Sequence, residues 1–420
     1  MHVIIIGGGT GGMCLAHGLK RAGGVSVAVY ERYGARDDGL YGYRVGIDPT
    51  GNRALRECLP PAVYQRFVDT CATPPRRFNV YSGKLRRTAS FDLPDTTSAL
   101  DVERSVSRAT LRQVLFTGMD DVLHFGKVFT HYQREQDGRV TAFFEDGTSA
   151  TGDVLISAEG TRSAVRGQYL PHAAVQDTGI SAVGTKTPMT SETRALLPTE
   201  AREGLSLIFG DNRVMGILHV MAFQDADVED YISLSVWTAD KLLPGDPTSL
   251  RGEQIKDFAL RLTTGWHPNL RRILELADPK SAFPVKIATS APIEPWQTTN
   301  VTLLGDAIHT MTPGQGVGAN TALRDAMLLC RELTAAQTGR KTLLEAVGDY
   351  EAEMIPYGFA RVRDSLKNNG TSGDDPLYRP VVGWFALFAA RRFFSVTSKV
   401  PPLRRRFLAQ LSTYRGAEDE

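Results

Sequence analysis

The chain has 420 residues, of which 42% are hydrophobic and 23% are charged, which excludes a disordered chain, a collagen-like repeat and a coiled-coil rod. Its length predicts two to three domains. Because 48 Lys and Arg face 47 Asp and Glu, the net charge is +1, which argues against a nucleic-acid partner. The 40 glycines exceed the average of roughly 7%, so their placement is informative.

The four cysteines fit no zinc spacing and form no CxxC pair, which predicts free thiols in a reducing cytoplasm and no metal site. They are Cys14, Cys58, Cys71 and Cys330. No signal peptide opens the sequence, and no run approaches the roughly 18 apolar residues of a membrane-spanning helix. A cytoplasmic location is therefore predicted.

The first thirty residues predict a strand, a helix and a second strand. Residues 3–6 are apolar and mostly β-branched, as in a buried parallel strand. The GxGxxG spacing follows at Gly7, Gly9 and Gly12, where glycine permits a tight turn and the close approach of a pyrophosphate. Helical apolar spacing then leads to a second strand that closes at Glu31, whose carboxylate can bind a ribose hydroxyl.

Apolar periodicity and turn dipeptides predict the later elements. Helices are predicted at residues 50–59, 104–115, 250–262, 270–276 and 321–336. Strands are predicted at residues 78–81, 87–93, 128–135, 140–145, 153–158, 205–210, 214–221, 231–237, 283–289 and 300–304. Between residues 175 and 295 the pattern indicates an antiparallel sheet with helices, unlike the parallel pattern on either side.

A second glycine cluster follows the strand at residues 300–304. Asp306 stands at the carboxyl end of that strand, where its carboxylate can accept hydrogen bonds from a polyol. Gly314, Gly316 and Gly318 then precede a helix whose free amides can bind negative charge. A single long dinucleotide that spans both glycine clusters explains why the sequence has both. FAD is favoured over NAD because FAD has a ribityl chain, whose hydroxyl groups suit Asp306.

With these motifs in this order, the sequence resembles the class A FAD-dependent monooxygenases, the aromatic hydroxylases of the p-hydroxybenzoate hydroxylase type, over residues 1 to about 360. The turn at Gly7 with Glu31 matches the family's ADP-binding motif, and Asp306 falls on its Gly-Asp motif. A third segment resembles the family's Asp-Gly motif, which supports FAD and nicotinamide binding. Here Glu159 stands where the family usually has Asp.

The resemblance implies an α/β fold in which a Rossmann-like FAD-binding domain is interleaved with an antiparallel-sheet (α+β) substrate domain, followed by C-terminal helices. It assigns residues 1–75, 101–172 and 296–360 to the FAD-binding domain, residues 76–100 and 173–295 to the substrate-binding domain, and residues 361–420 to a C-terminal helical segment.

The resemblance also implies the contacts of a non-covalently bound FAD. Arg44 would lie on a mobile flavin loop, Val128 would present its backbone to the adenine, and Pro313 would lie near the flavin ring. The complete set of expected contacts is Gly7, Gly9, Thr10, Gly11, Gly12, Glu31, Arg32, Arg44, Arg108, Val128, Asp306, Pro313, Gly316, Gly318, Ala319 and Asn320.

In that family NAD(P)H reduces FAD, dioxygen forms a hydroperoxide at flavin C4a, and one oxygen atom enters the substrate. The resemblance therefore implies a single-component monooxygenase acting on an aromatic or polyketide-like small molecule of secondary metabolism. The sequence has no second GxGxxG motif that could bind NAD(P)H. This absence agrees with a family in which NAD(P)H binds only transiently as the reductant. No catalytic side chain is assigned, because the flavin carries the chemistry.

Several alternatives stay open. Epoxidation and Baeyer–Villiger oxygenation use the same intermediate. A reductase or a halogenase-like enzyme could share the fold, although the halogenase Trp-x-Trp motif is absent. A non-catalytic flavin-binding protein would differ by showing no substrate-stimulated NAD(P)H oxidation.

Period-2 spacing predicts two strand faces that either line a substrate pocket or belong to the core or the surface. One face holds Met215, Ile217, His219 and Met221, and the other holds Tyr231, Ser233 and Ser235. The pocket candidates are His219, Met221 and Tyr231, with a histidine or tyrosine as polar handle. His309, in the second glycine motif, is expected to be structural.

The C-terminal segment is apolar and basic. Residues 376–417 include eight Arg or Lys and no acidic residue. The favoured interpretation is a helix packed against the body of the protein with snorkelling arginines. Contact with a membrane surface is the alternative.

Overall fold

The computed structural model describes residues 1–38, 44–93, 102–225, 228–367, 370 and 372–414, except for the side chains of Gln315 and residues 411–414. The parts of the predicted domains that fall on residues 94–101 and 415–420 lie outside the described residues. The fold is the predicted combination of a parallel sheet, an antiparallel-rich sheet and C-terminal helices.

The described chain forms strands and helices in a mixed order, with runs of strands at β7–β11 and β13–β15. The strands are β1 His2–Ile6, β2 Ser26–Tyr30, β3 Arg44–Ile47, β4 Arg77–Ser82, β5 Arg87–Asp92, β6 Arg104–Ser107, β7 Leu123–His124, β8 Phe129–Arg134, β9 Val140–Phe144, β10 Ser149–Gly152, β11 Val154–Ser157, β12 Val175–Pro188, β13 Gly204–Phe209, β14 Met215–Met221, β15 Tyr231–Ala239, β16 Phe283–Ser290 and β17 Val301–Leu303. The helices are α1 Thr10–Ala22, α2 Pro49–Cys58, α3 Pro61–Asp69, α4 Arg108–Leu115, α5 Ala164–Tyr169, α6 Ser191–Leu196, α7 Thr199–Arg202, α8 Glu253–Leu262, α9 Pro268–Glu275, α10 Asp306–His309, α11 Gly318–Gln337, α12 Leu343–Leu366, α13 Val382–Lys399 and α14 Pro401–Tyr414.

A five-stranded parallel sheet, in the order β17-β11-β1-β2-β7, brings both glycine clusters to one edge. Ile6 pairs with Tyr30 on one side and with Ser157 on the other, and Ser157 pairs with Leu303. Four strands therefore end in a single row. In open α/β sheets the ligand lies beyond the carboxyl ends of the strands, so this row positions the site.

Helices α1 and α11 cover one face of the parallel sheet and approach each other closely. A Cβ atom on Gly18 of α1 would lie 2.7 Å from Cys330 Sγ and 3.2 Å from Cys58 Sγ, so glycine is needed at this contact. All four cysteines are free thiols, and only Cys330 is partly exposed. Cys58 and Cys330 act as small apolar side chains in the packing around Gly18.

The second large sheet has seven strands in the order β16-β12-β15-β14-β13-β4-β5. Its strands pair antiparallel except β13 and β4, which run parallel, with Gly204 opposite Arg77. Within residues 175–295 every strand pair is antiparallel, as the sequence predicts, and the one parallel pair joins this segment to β4. The parallel pair arises because β4 and β5 come from a segment more than a hundred residues earlier in the chain than β13.

Two predicted elements differ in detail from the structure. The helix expected over residues 104–115 begins only at Arg108, because residues 104–107 form β6, which pairs with β3. The longest strand, β12, was not predicted at all. Its buried hydroxyls break the apolar pattern and are satisfied internally: Thr185 Oγ1 donates to the Leu234 carbonyl and Thr187 Oγ1 to the Ile273 carbonyl, both at 2.9 Å.

The C-terminal helices pack against the seven-stranded sheet. Leu387 of α13 is buried beside Val80, Phe91 and Phe209, and Phe407 of α14 packs against the same cluster. None of the helices in the described ranges combines the length and apolar content needed to cross a bilayer. This packing against the sheet buries only one face of α13.

We expect Gly204→Ala to destabilise the protein, because a Cβ there would lie 2.0 Å from the Arg77 carbonyl oxygen on β4. Forcing the parallel pair apart should cost about 1–3 kcal/mol of unfolding free energy, measured by urea denaturation. The control is Gly167→Ala, in helix α5 with open space around it. Equal stability of the two variants would contradict the importance of this close approach.

Candidate cofactor and substrate site

One continuous cavity of about 1650 Å³ runs from the carboxyl edge of the parallel sheet to the face of the seven-stranded sheet. All but one of the predicted cofactor contacts line it: Gly7, Gly9, Thr10, Gly11, Glu31, Arg32, Arg44, Arg108, Val128, Asp306, Pro313, Gly316, Gly318, Ala319 and Asn320. Gly12 instead serves packing, since a Cβ there would lie 2.3 Å from the Gly7 carbonyl oxygen.

The first glycine turn leaves no room for side chains. Gly7 has φ +109°, and a Cβ would lie 2.4 Å from the Ala158 carbonyl oxygen. A Cβ on Gly11 would lie 2.6 Å from Leu304 Cδ1. The bare backbone at the start of α1 therefore faces the cavity with free amides, which is the arrangement that binds a pyrophosphate.

Glu31 is held in place by the turn that it faces. Its Oε2 accepts a hydrogen bond from the Gly8 amide at 2.8 Å, and its Oε1 accepts one from the Tyr33 amide at 3.0 Å. Only 5% of the residue is exposed, and it still lines the cavity. The carboxylate thus both fixes the turn and keeps acceptor capacity for a hydroxyl.

Arg112 is a cavity residue that the sequence prediction missed. One guanidinium nitrogen lies 3.6 Å from Glu31 Oε2, and the group stacks over the Tyr33 ring at 5.0 Å. Burial lowers the pKa of Arg112, and the Glu31 carboxylate partly offsets this. Its spacing of four residues from Arg108 on α4 was the available signal, because residues so spaced share a helix face.

At the second glycine cluster, Asp306 faces the cavity and Asp325 lies behind it. Burial within the protein raises the pKa of Asp306, although His309 and Arg108 oppose the shift. Asp325 Oδ2 accepts hydrogen bonds from the Gly305 amide and from His309 Nε2, both at 2.7 Å. The geometry leaves Asp306 available to a polyol while Asp325 supports the turn.

His309 is buried behind this turn, outside the cavity lining. Burial disfavours its charged form, but the adjacent Asp325 carboxylate outweighs that effect, so the pKa of His309 is raised. The Tyr357 hydroxyl donates to the other Asp325 oxygen. The imidazole therefore holds α10 to α11, in the structural position expected for it.

The segment that resembles the Asp-Gly motif begins at Glu159, and it connects the end of β11 with the turn that follows β17. Glu159 Oε2 accepts hydrogen bonds from the Val165 amide at 3.0 Å and from Ser163 Oγ at 2.7 Å, so the longer carboxylate folds back over the start of α5. Arg166 is buried and donates to the carbonyl oxygens of Ala307 at 2.9 Å and Thr161 at 2.8 Å. This arginine fixes the third motif to the Gly-Asp turn.

Arg44 begins strand β3, which pairs with β6, so the expectation that it lies on a mobile loop is wrong, and this strand is held at both ends. Arg44 donates to Glu103 at 2.5 Å and to Ser105 Oγ at 2.9 Å. Asn320, at the start of α11, donates to the Gly46 carbonyl at 2.9 Å and accepts from the Asp48 amide at 3.1 Å. Burial raises the pKa of Asp48 to about 7, while its bond from the Gly51 amide lowers it.

These residues fit an FAD. Backbone amides at two helix starts suit the pyrophosphate, the carboxylates of Glu31 and Asp306 suit hydroxyl groups, and Gly316 and Gly318 keep the space by Pro313 free for a flat ring. Val128 lines the cavity next to Lys127, and its carbonyl accepts from the Glu145 amide at 2.9 Å.

The opposite wall of the cavity is formed by the seven-stranded sheet and the C-terminal helices. The residues of this sheet and of α13 and α14 that line the cavity include no Asp, Glu, Lys or Arg: Phe78, Ala182, Gly184, Leu205, Leu207, Phe209, Met215, Ile217, His219, Ser233, Ser235, Trp237, Phe283, Val285, Ile287, Ala386, Ala389, Ala390, Phe393, Phe394, Phe407 and Gln410. Lys367, Asp375 and Leu377, which lie between α12 and α13, also line the cavity. Three of the four residues of the predicted β14 face, Met215, Ile217 and His219, thus line the cavity.

The three pocket candidates lie in different places. His219 is on the cavity wall, with Nδ1 3.0 Å from the Val220 carbonyl oxygen and Nε2 3.5 Å from Ser105 Oγ. Met221 is fully buried at the end of β14. Tyr231 packs against Phe223, 5.9 Å between centroids, under the Lys186 ammonium, and neither it nor Met221 belongs to the described cavity lining.

Comparisons with known proteins agree with this geometry. A sequence profile of the family described as FAD binding domain matches residues 123–363. The dual O-methyltransferase/FAD-dependent monooxygenase of Cercospora beticola is 32% identical over 385 residues, which cover 84% of this chain and 44% of that protein. An FAD-dependent monooxygenase of Talaromyces islandicus is 31% identical over 385 residues, which cover 87% of this chain and 91% of that protein.

A solved structure shares the architecture. The crystal structure of a protein from Photorhabdus luminescens subsp. laumondii, assigned as an FAD-containing monooxygenase, superimposes with a TM-score of 0.77 at 33% identity. The match covers 87% of this chain and 97% of that one. The chain spans less than half the length, 44–46%, of the three dual-function relatives that it matches.

We expect Asp306→Ala to yield protein without bound flavin, because the turn loses the carboxylate that faces the cavity. Loss of a hydrogen bond to a charged group should weaken FAD binding about tenfold to a hundredfold. The measurement is the ratio of flavin to protein absorbance, followed by titration of FAD into apoprotein. The exposed Asp257→Ala serves as control, and a fully yellow Asp306 variant would refute this assignment.

We expect Asp325→Ala to destabilise the whole protein rather than only the site. It would leave the buried His309 imidazole and the Gly305 amide without their acceptor, and breaking such a pair costs about 3–5 kcal/mol. Urea unfolding of apoprotein gives the free energy, with Asp257→Ala as control. A variant as stable as the control would show that the His309–Asp325 pair does not support α10.

Proposed function

The chain belongs to the family of FAD-dependent monooxygenases, and from this premise we propose that it is a single-component enzyme. It uses NAD(P)H and dioxygen to insert one oxygen atom into an aromatic or polyketide-like small molecule of secondary metabolism. The observation that carries the proposal is the continuity of the cavity, which joins the cofactor edge of one sheet to an uncharged wall on the other.

The uncharged wall defines the kind of substrate. Phe78, Phe209, Trp237 and Phe283 present aromatic surface, while Ser233 is one of few polar groups there. A flat apolar molecule buries its faces on such a wall, and a charged substrate would lose its hydration without a partner. The substrate is therefore a neutral, largely apolar ring system.

When bound, FAD supplies the redox and oxygen chemistry that side chains lack. The chain's own residues position and protect it. The amides after Gly7 and at Gly318 orient the cofactor, and the apolar wall excludes water from the space between cofactor and substrate. His219 is the titratable side chain on the described sheet wall, where it is buried and its Nδ1 lies 3.0 Å from the Val220 carbonyl oxygen.

The decisive experiment is anaerobic reduction of the holoprotein by NADH or NADPH in the presence of phenolic and polyketide-like compounds. We expect one compound class to accelerate flavin reduction, and mass spectrometry after admission of dioxygen to show a product with one added oxygen atom. Accelerated reduction that yields only hydrogen peroxide and unchanged compound would refute the oxygenase. Absence of any stimulation across the panel would favour a non-catalytic flavin protein.

We expect Ile217→Trp to block the substrate half of the cavity while leaving FAD bound. Ile217 lies on β14 and is partly exposed to the cavity, so the larger ring displaces a substrate from its reacting position. Substrate-stimulated NAD(P)H oxidation should fall about tenfold or more in kcat/KM, with flavin content unchanged. Ile217→Val is the matched control, and equal kcat/KM in both variants would place the substrate elsewhere.

A further inference from the structure

Helix α13 carries apolar side chains on all sides of its first half, residues 382–390. One side, including Leu387, is buried against the seven-stranded sheet. A second side, at Ala386, Ala389, Ala390 and Phe393, lines the cavity. A helix that is apolar all round is normally covered on all sides, so the third side calls for a partner.

That third side is an exposed aromatic stripe. Trp384 is 63% exposed, and Phe385 and Phe388 are each 59% exposed. The Trp384 and Phe388 rings stack at 6.0 Å. The stripe continues over Val396 to Leu403 of α14, where the two helices form a shallow groove with Phe393. Contiguous exposed apolar surface of this kind marks an interaction site.

Exposed cations that form no ion pair with any described residue surround the stripe. Arg392 and Lys399 lie on the same helix side as Trp384 and Phe388 by their spacing, and both are exposed. Arg405 and Arg406 follow on α14, also exposed. By contrast, two other arginines of this segment are engaged: Arg391 binds Asp211 at 2.7 Å and Arg404 binds Asp92 at 2.9 Å. No acidic residue occurs between residues 376 and 414.

We propose that this face of α13 and α14 binds the surface of a bilayer that contains anionic lipids, with α13 lying in the plane of the interface. The aromatic stripe would enter the boundary between headgroups and acyl chains, and Arg392, Lys399, Arg405 and Arg406 would contact lipid phosphates. No described helix is suited to span the bilayer, in keeping with surface binding.

The charge pattern favours a bilayer over a second copy of the chain. A two-fold contact would place the same surface on both partners, so the cations of one copy would face those of the other. Opposed like charges in a partly desolvated contact are costly, whereas an anionic lipid surface attracts each exposed Arg or Lys. Tryptophan at the edge of the stripe also suits a membrane interface.

The test is flotation of the FAD-loaded full-length protein with vesicles of phosphatidylcholine alone or mixed with phosphatidylglycerol. We expect binding to the mixed vesicles that weakens as salt is raised, and far weaker binding to phosphatidylcholine alone. Brominated phosphatidylcholine in the mixed vesicles should quench Trp384, which is 63% exposed, more than Trp237, Trp266 and Trp296, which are at most partly exposed.

Two paired variants test the two components of the face. Trp384→Ser with Phe388→Ser, and separately Arg405→Gln with Arg406→Gln, should each weaken binding about tenfold or more. The controls are the exposed Leu344→Ser and the exposed pair Arg56→Gln with Arg134→Gln, which should bind like wild type. Flavin content and circular dichroism establish that each variant is folded.

Three results would overturn the proposal. The first is absence of binding to the mixed vesicles at low salt. The second is wild-type binding by both test variants. The third is a concentration-dependent dimer in sedimentation velocity that the Trp384 and Phe388 substitutions dissociate, which would assign the stripe to a second copy.

Discussion

The structure depends on one constraint, the register of the parallel sheet. Ile6, Tyr30, Ser157 and Leu303 stand in a single row, so each chain segment leaves the sheet at the same level. The glycine turns, Glu31, Glu159 and Asp306 are the residues that come next. If one strand shifted by a single residue relative to its neighbour, the loop that follows that strand would move by about 3.3 Å. That loop would then no longer reach a ligand held by the loops of the other strands.

The cofactor half could be predicted from the sequence because its signals are local. A turn that needs Gly7, or a strand that ends before Asp306, shows itself within a dozen residues. The resemblance then extended these signals to residues such as Arg108 and Val128, and the structure places both on the cavity. Which of these residues contact FAD stays a prediction, to be tested by variants such as Asp306→Ala.

What the sequence did not reveal depends on contacts between distant segments. The helical spacing from Arg108 could have indicated Arg112, but its contact with Glu31 appears only in the structure, as do the bonds of Asp325 to Gly305 and His309. Strand β12 was missed because buried threonines such as Thr185 occupy core positions where a pattern search requires apolar residues. The contribution of α13 to the cavity wall likewise depends on packing across the whole molecule.

The order of strands in the parallel sheet also has a consequence for biosynthesis. Strand β17 forms one edge of the sheet, and it follows β1 by nearly 300 residues. At ribosomal rates of about 5–20 residues per second, β1 and β11 wait roughly 10–60 s for the strand that completes their row. During that interval the edge of β11 that will pair with β17 has no partner strand, which leaves it open to pairing with other chains.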